Sequence, residues 1–265
     1  MRRLEPSRTL ERLGYKLYPQ SINAYYRCPR KFHFRYIRNV RMPFEFKPPL
    51  VIGGVTHKVL AAIFRDRRDQ CQPADIEAYV TKYISFEKYP EGATDPMRDQ
   101  HAPVVTGHVE RALRSLPVNA EVLHVEEEFT YSVRTKAIGS AVTVGAKVDV
   151  VIRHGDGMID HIDFKTGKQG GDPIQNYLSR LTVGKKLRLQ PDRLRTVNVL
   201  TGSGEYEIVP DSPAANEHIW NIVQTQIHAL SVDEEWRARP EPAICRFCDF
   251  RSKCDYAQLD DEYGS

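Results

Sequence analysis

The stretch GAKVDVVIRHGDGMIDHIDFKTGK, residues 145–168, decides the fold of this chain. Two runs rich in Val and Ile flank the turn signal HGDG at 154–157, which predicts two antiparallel strands joined by a tight turn. With the three-residue loop Gly-Asp-Gly, the register of the two strands places Asp149 opposite Asp163. Because strand side chains alternate between faces, Asp163 and Lys165 lie on the same face of the sheet.

Asp149, Asp163 and Lys165 are therefore candidate catalytic residues. Two bare carboxylates facing each other repel, and a divalent cation such as Mg²⁺ removes that repulsion because it prefers oxygen ligands. Such an ion activates water and polarises a phosphate ester, while a neighbouring lysine stabilises the charge that develops on the phosphate. The alternative is a surface hairpin with ordinary salt bridges. A slip of one residue in the register would separate the group.

Other charged residues near this hairpin are assigned different roles. His161 is expected at the edge of the candidate catalytic face, whereas Asp160 points to the opposite face in a structural or solvent-facing role. The three glutamates at 126–128 precede the hairpin; a charged strand edge is the preferred role for them, and the alternative is that one of them approaches the metal.

The rest of the chain predicts a mixed α/β fold in a single domain spanning 1–265. Residues 1–120 are mainly helical in pattern, and Pro29 interrupts the helix that begins near Ser21. Residues 121–231 combine strand-like and helical segments and form the core. Residues 232–265 form a loop-like, cysteine-rich tail.

Composition and charge exclude some classes of protein. The chain has 265 residues and a net charge of +3, and no apolar run approaches the ~20 residues of a membrane-spanning helix. The beginning of the chain lacks a secretory pattern, so the cytoplasm is the expected compartment. Its first 50 residues contain twelve Lys and Arg against three acidic residues. This local excess suggests contact with a polyanion, with a solvated helix face as the alternative.

Five cysteines are present, and three of them lie within ten residues as Cys245-x2-Cys248-x5-Cys254. Disulfides are not expected in the cytoplasm, so the cluster predicts thiolate ligation of a metal. A fourth ligand is needed, and four thiolates suit either a [4Fe–4S] cluster or zinc. Cys28 is the natural fourth ligand, and Cys71 is interpreted as a bystander.

The sequence resembles the PD-(D/E)xK nuclease superfamily, specifically its RecB-like branch with an iron–sulfur cluster. That branch includes the CRISPR-adaptation nucleases and the nuclease domain of the AddB helicase–nuclease subunit. Four segments in the same order as in the family carry the resemblance: SINAYYRCP at 21–29, GGVTHKVL at 53–60, GAKVDVVI with IDFKTGK at 145–168, and CRFCDFRSKC at 245–254. The resemblance implies a restriction-endonuclease-like central sheet flanked by helices.

The resemblance also implies a set of functional residues. It makes His57, Asp149 and Asp163 ligands of Mg²⁺ or Mn²⁺, joined by the backbone carbonyl of Phe164, and makes Lys165 the catalytic lysine. It favours a structural [4Fe–4S] cluster over zinc, with Cys28, Cys245, Cys248 and Cys254 as its ligands. The family's Gln-x-x-x-Tyr helix has no clean match, because Gln175 is followed by Ser179 and Gln190 by Leu194. Gln175 is preferred for its distance to the next strand.

The function implied is a metal-dependent deoxyribonuclease that acts as an exonuclease on single-stranded DNA. Aromatic and cationic residues near the first cysteine suit contact with single strands. The candidates are Tyr25, Tyr26, Arg27, Lys31 and Arg35. A helicase or a CRISPR-adaptation protein would be a separate partner. Two alternatives are a DNA-end-binding or partner-binding module with little cleavage of its own, and a zinc-stapled nucleic-acid-binding protein.

Overall fold

The structure is a computed structural model, and it describes residues 7–43, 46–66, 73–90, 94–116, 120–134, 141–167 and 172–257. The helices are α1 (Arg8–Arg12), α2 (Pro19–Arg27), α3 (Pro29–Phe32), α4 (Pro48–Arg65), α5 (Pro73–Ile84), α6 (Thr94–Arg114), α7 (Pro173–Leu187), α8 (Pro213–Val232) and α9 (Pro242–Cys245). The strands are β1 (Lys16–Leu17), β2 (Glu121–Arg134), β3 (Ala141–Arg153), β4 (Ile159–Lys165), β5 (Leu194–Leu200) and β6 (Glu205–Val209). None of the helices in these ranges is long and apolar enough to span a membrane.

The chain divides into two compact units. The terminal unit joins residues 1–44, 130–146 and 213–265, and the central unit joins residues 45–129 and 147–212. The candidate cluster cysteines belong to the terminal unit, and the candidate catalytic residues belong to the central unit. The division at residues 120 and 231 stays a prediction.

The strands form a mixed sheet in the order β1-β3-β4-β5-β6, with β2 paired to β3. β3 and β4 are antiparallel, with Val150 opposite Ile162, which confirms the register predicted from the turn. Gly157 closes that turn with a φ of 83°, a left-handed conformation that glycine adopts readily. β4 runs parallel to β5, and β5 is antiparallel to β6. The predicted mixed α/β fold is confirmed.

Helices cover both faces of the sheet in the central unit. On one face, α4 presents Val55, Val59 and Ile63 at helical spacing, and they pack in one core with Ile162 and Phe164 of β4. A second core holds Val151 and Ile159 together with Val183 of α7. β4 is therefore buried along its length, apart from its last residue, Lys165. Any charged side chain on this strand requires a specific partner.

Asp160 shows such a partnership. Its side chain is fully buried and accepts hydrogen bonds from Arg195 Nε at 2.7 Å, Tyr206 Oη at 2.9 Å and His154 Nε2 at 2.7 Å. The structural role predicted for Asp160 is confirmed, and the solvent-facing role is wrong. The carboxylate joins β4 to β5 and β6.

The terminal unit is built around aromatic rings. α2 ends at Arg27 and α3 begins at Pro29, which confirms the predicted interruption. A π-helical turn follows α3, and the ring of Trp236 stacks on that of His33 with centroids 5.2 Å apart. The hydroxyl of Tyr25 donates to Asp233 at 2.8 Å. The first helices are thereby packed against the segment that follows α8.

Candidate active site and cysteine cavity

Asp163 and Lys165 lie at the end of β4 and form an ion pair through their side chains. Gln175 reaches both of them, since its Nε2 donates to Asp163 Oδ1 at 3.2 Å and its Oε1 accepts from Lys165 Nζ at 3.3 Å. Gln175 occupies the first turn of α7, which Asp172 caps by accepting from the amide of Ile174 at 2.9 Å. Gln190 lies beyond the end of α7 and is exposed. Gln175 is therefore the glutamine that contacts the candidate catalytic residues.

Asp149 of β3 contacts two other elements of the site, β4 and α4. Its Oδ2 accepts a hydrogen bond from the amide of Phe164 at 2.8 Å. Its Oδ1 lies 3.1 Å from Nδ1 of His57, which α4 provides. The Phe164 ring stacks on Phe64 of the same helix, so the packing of α4 on β4 fixes the position of His57.

Glu126 completes a group that can hold a metal ion. One ligand atom each from His57, Glu126 and Asp149 lie within 4.8 Å of one another. Glu126 adopts a φ of 53° within β2, a left-handed conformation that costs a non-glycine residue about 1–2 kcal/mol. The preference for a strand-edge role did not select this position, although the alternative that one glutamate of this run approaches the metal includes it. The three consecutive glutamates at 126–128 are visible in the sequence, but the left-handed backbone conformation that distinguishes Glu126 is not.

Asp163 does not belong to that closest group, although it was predicted as a ligand beside Asp149. Lys165 and Gln175 engage its carboxylate instead. Its charge still interacts with that of Asp149, and the two carboxylates therefore form one electrostatic centre. Lys147 of β3 forms an ion pair with Glu126.

The electrostatics of the site follow from burial and from the charges that meet there. Burial, together with the negative charge of Asp149, raises the pKa of Asp163 to about 6. Burial also acts to raise the pKa of Asp149, but the hydrogen bond and charge of His57 outweigh it and lower that pKa. The same contact raises the pKa of His57 against the effect of burial. Carboxylate oxygens with one imidazole are donors that fit Mg²⁺ or Mn²⁺, so these residues suit a divalent ion.

His161 lies on β4 between these groups and is almost completely buried. Burial lowers its pKa to about 4, so its imidazole is uncharged at neutral pH. Its Nδ1 has no hydrogen-bond partner in the described part of the chain. His161 thus adds no charge to the site.

A family model for the PD-(D/E)XK nuclease superfamily matches residues 17–255, which include every residue of this site. The chain belongs to the PD-(D/E)XK nuclease superfamily. The solved structures include one similar to this chain, described as "Crystal structure of SSO0001", at 11% sequence identity and a TM-score of 0.41. That similarity covers 95% of this chain and 93% of the other. No match was found among curated proteins.

Membership in the PD-(D/E)XK nuclease superfamily gives the site a chemical context. Its nuclease fold points to metal-dependent hydrolysis of phosphodiester bonds. In this member of the superfamily, the nitrogen and oxygen donors of His57, Glu126 and Asp149 meet beside Lys165.

The predicted cluster ligands of this superfamily member converge on one cavity in the terminal unit. Its lining includes Cys28, Cys245, Cys248 and Cys254. Among the described residues, no three cysteine sulfurs lie within 4.8 Å of one another. Cys71 lies outside the described residues.

The residues predicted to contact DNA differ in their exposure and in the partners of their side chains. Tyr25 is 4% exposed, so its ring is not available for stacking on a base. Tyr26 is 45% exposed, and Arg27 is exposed beside it. Lys31 lines the cysteine cavity, and Arg35 forms an ion pair with Asp249 at 2.5 Å. The segment therefore offers one accessible ring rather than two.

Proposed function

We propose that this chain is a metal-dependent deoxyribonuclease that removes nucleotides from single-stranded DNA. The observation that carries the proposal is the meeting of His57, Glu126 and Asp149 within 4.8 Å, beside the Asp163–Lys165 pair. A retired site would have no reason to retain a neutralising cation beside a set of metal-binding donors. These features favour an enzyme over a module that only binds DNA ends or a partner protein.

The residues of the site divide the work. His57, Glu126 and Asp149 would hold Mg²⁺ or Mn²⁺, with Asp163 and the carbonyl of Phe164 as further oxygen donors. The bound ion supplies an activated water and a Lewis acid for the phosphate. Lys165 aligns that water and stabilises negative charge on the phosphate. Gln175 holds the Lys165 ammonium and the Asp163 carboxylate in place through its amide, by hydrogen bonds of 3.3 and 3.2 Å.

The decisive experiment compares Lys165→Ala with Lys186→Ala, which removes an exposed lysine from the last turn of α7. Single-stranded DNA labelled at the 5′ or the 3′ end is incubated with each protein in Mn²⁺, in Mg²⁺ and in EDTA. We expect cleavage by the wild type and by Lys186→Ala only when metal is present, and none by Lys165→Ala. Full cleavage by Lys165→Ala refutes the mechanism. DNA binding without cleavage by the wild type would favour the binding-module alternative.

Single-stranded DNA is supported by exposed rings next to cations in the terminal unit. Phe247, between two of the cysteines, is 76% exposed, and Tyr26 is 45% exposed. Arg246 and Arg251 are exposed as well, and a guanidinium nitrogen of Arg251 donates to the Arg246 carbonyl at 3.5 Å. Exposed rings and cations suit stacking on bases together with phosphate contact. Phe247 thereby takes the place of the buried Tyr25 among the proposed contacts, beside Tyr26, Arg27, Lys31 and Arg35.

The same proposal includes a structural [4Fe–4S] cluster, as in the RecB-like branch of the superfamily. Four cysteines from the two ends of the chain line one cavity, and their thiolates would hold such a cluster there. A cluster that joins Cys28 to the last three cysteines would close a long loop between the two ends of the chain. This closure would stabilise the terminal unit by restricting the unfolded chain. Iron and sulfide analysis of anaerobically purified protein tests the cluster, and a colourless protein containing zinc would refute it.

This chemistry indicates only the class of pathway in which the protein would act. An exonuclease for single strands needs a source of unwound DNA, which a separate helicase or a CRISPR-adaptation protein in the cytoplasm would provide. Pull-down of the purified protein with each class of partner, followed by cleavage of duplex DNA, tests this part of the proposal.

A further inference from the structure

The cysteine cavity is lined by an arginine, Arg30, that forms no ion pair with a carboxylate in the described part of the chain. We infer that Arg30 is the counter-charge of the metal–thiolate group that the cysteines hold, an inference that rests on the proposed cluster. Arg30 lines the cavity together with Cys28, Cys245, Cys248 and Cys254. It is a positioning residue and takes no part in phosphodiester hydrolysis.

Two aromatic rings hold the Arg30 side chain. Its guanidinium carbon lies 5.6 Å from the ring centroid of Phe34 and 5.6 Å from that of Tyr256. Phe34 follows the first cysteine, and Tyr256 follows the last one. Ring faces attract a cation and shield it from water, which strengthens its interaction with a nearby charge. The guanidinium is therefore oriented by segments from both ends of the chain.

One polar atom of Arg30, Nε, is not satisfied by the described residues. Its Nε is buried and has no hydrogen-bond partner there, and its guanidinium forms no ion pair with a described carboxylate. A buried N–H donor left without a partner is unfavourable, and native structures contain few of them. An anion inside the cavity would satisfy this donor.

The residues that line the cavity indicate which kind of anion would bind there. Lys31, Arg239 and Arg251 line it with Arg30, and no Asp or Glu is among its described lining residues. Four thiolates bound to an iron–sulfur core carry net negative charge, which these cations offset. Hydrogen bonds to cluster sulfurs and nearby charge set the reduction potential of such a group. Arg30 is suited to both roles, because its guanidinium carries several N–H donors and a permanent positive charge.

Arg35 provides the contrast. Its guanidinium carbon lies 5.8 Å from the ring centroid of Phe250, so it is also a cation above an aromatic ring. Its charge is already paired with Asp249 at 2.5 Å. Removal of Arg35 therefore removes a similar side chain from the same region, and the anion that loses its partner is the partly exposed Asp249 carboxylate rather than a metal–thiolate group.

The test uses full-length protein purified without oxygen, as wild type, Arg30→Gln, Arg30→Lys and Arg35→Gln. Iron per chain, the rate of absorbance loss in air and the reduction potential are measured for each. Reduction adds negative charge, which Arg30 stabilises, so Arg30→Gln should lower the potential and accelerate cluster loss several-fold. Arg30→Lys should recover part of both, and Arg35→Gln should match the wild type.

The possible results separate this inference from the proposed function. An Arg30→Gln protein with full iron content, an unchanged potential and an unchanged rate of cluster loss overturns the role of Arg30. Equal loss of iron in Arg30→Gln, Arg30→Lys and Arg35→Gln also overturns it, because general destabilisation explains that result. Iron absent from the wild type refutes the proposed cluster itself, and this inference fails with it. Iron lost from Arg30→Gln but kept in Arg30→Lys and Arg35→Gln supports a requirement for the charge.

Discussion

Gly53 and Gly54 are neighbours in α4, but their surroundings differ. Gly53 is buried, and a Cβ atom added there would lie 2.9 Å from the Thr166 hydroxyl oxygen. Gly54 is exposed, and a Cβ atom there would meet nothing within 4 Å. Thr166 directly follows Lys165, and His57 lies one turn after Gly53. Substitution of Gly53 by alanine therefore perturbs the contact between the helix and the strand that carry the candidate site.

The size of the effect follows from two opposing terms. Replacing glycine by alanine inside a helix stabilises the fold by about 0.5–1 kcal/mol, and this gain applies in full to Gly54→Ala. At Gly53, overpacking costs about 1–3 kcal/mol, because the Thr166 side chain or the helix must move. We therefore expect the free energy of unfolding of Gly53→Ala to lie about 1–3 kcal/mol below that of Gly54→Ala.

The assay is urea denaturation of both variants and the wild type, followed by cleavage of labelled single-stranded DNA in Mn²⁺. A displacement at Thr166 shifts Lys165, so Gly53→Ala should cleave roughly tenfold to a hundredfold more slowly, whereas Gly54→Ala should cleave at the wild-type rate. Equal stability and equal cleavage of the two variants would contradict the close approach between α4 and the end of β4. Loss of activity in Gly54→Ala alone would contradict it as well.

Three further substitutions test the site and the surface. Glu126→Gln should raise the Mn²⁺ concentration for half-maximal cleavage by about tenfold or more, whereas Glu127→Gln should not, and equal metal titrations would remove Glu126 from the site. Gln175→Ala should slow cleavage because Asp163 and Lys165 lose their shared contact, whereas Gln190→Ala, at an exposed position, should not. Equal rates for these two would refute the assignment. Phe247→Ala should weaken binding of a fluorescent oligothymidine by about 5- to 100-fold, measured by anisotropy in EDTA. Phe247→Trp should retain binding. Phe86→Ala, at a ring that is 70% exposed in the central unit, should bind the oligothymidine like the wild type. Equally weakened binding by Phe247→Ala and Phe86→Ala would contradict a specific stacking surface.

Much of the central hairpin could be predicted from local sequence. The Gly-Asp-Gly loop and the alternation of apolar residues determine the pairing of Val150 with Ile162, because turn length sets register and strand side chains repeat every two residues. The same local rules place Asp163 and Lys165 on one face. The mixed α/β fold follows from the succession of helical and strand-like segments.

Local sequence could not resolve which acidic residues form the closest group. The predicted register gives Asp149 and Asp163 the same claim to be metal ligands. In the structure, the Asp163 carboxylate contacts Lys165 and Gln175. Ligand atoms of Glu126, His57 and Asp149 lie within 4.8 Å of one another instead. That choice depends on a left-handed residue inside β2 and on the packing of α4, neither of which has a signature in a single sequence.

The amino-acid sequence by itself determined the strands, the turn and the residue types of the site, because each depends on neighbours within a few positions. The tertiary structure alone decided how distant segments meet. It buried Tyr25 against Asp233 and placed Arg30 between two rings, with no carboxylate partner among the described residues. Contacts between residues more than two hundred positions apart arise from packing of whole elements, and local patterns carry no information about them.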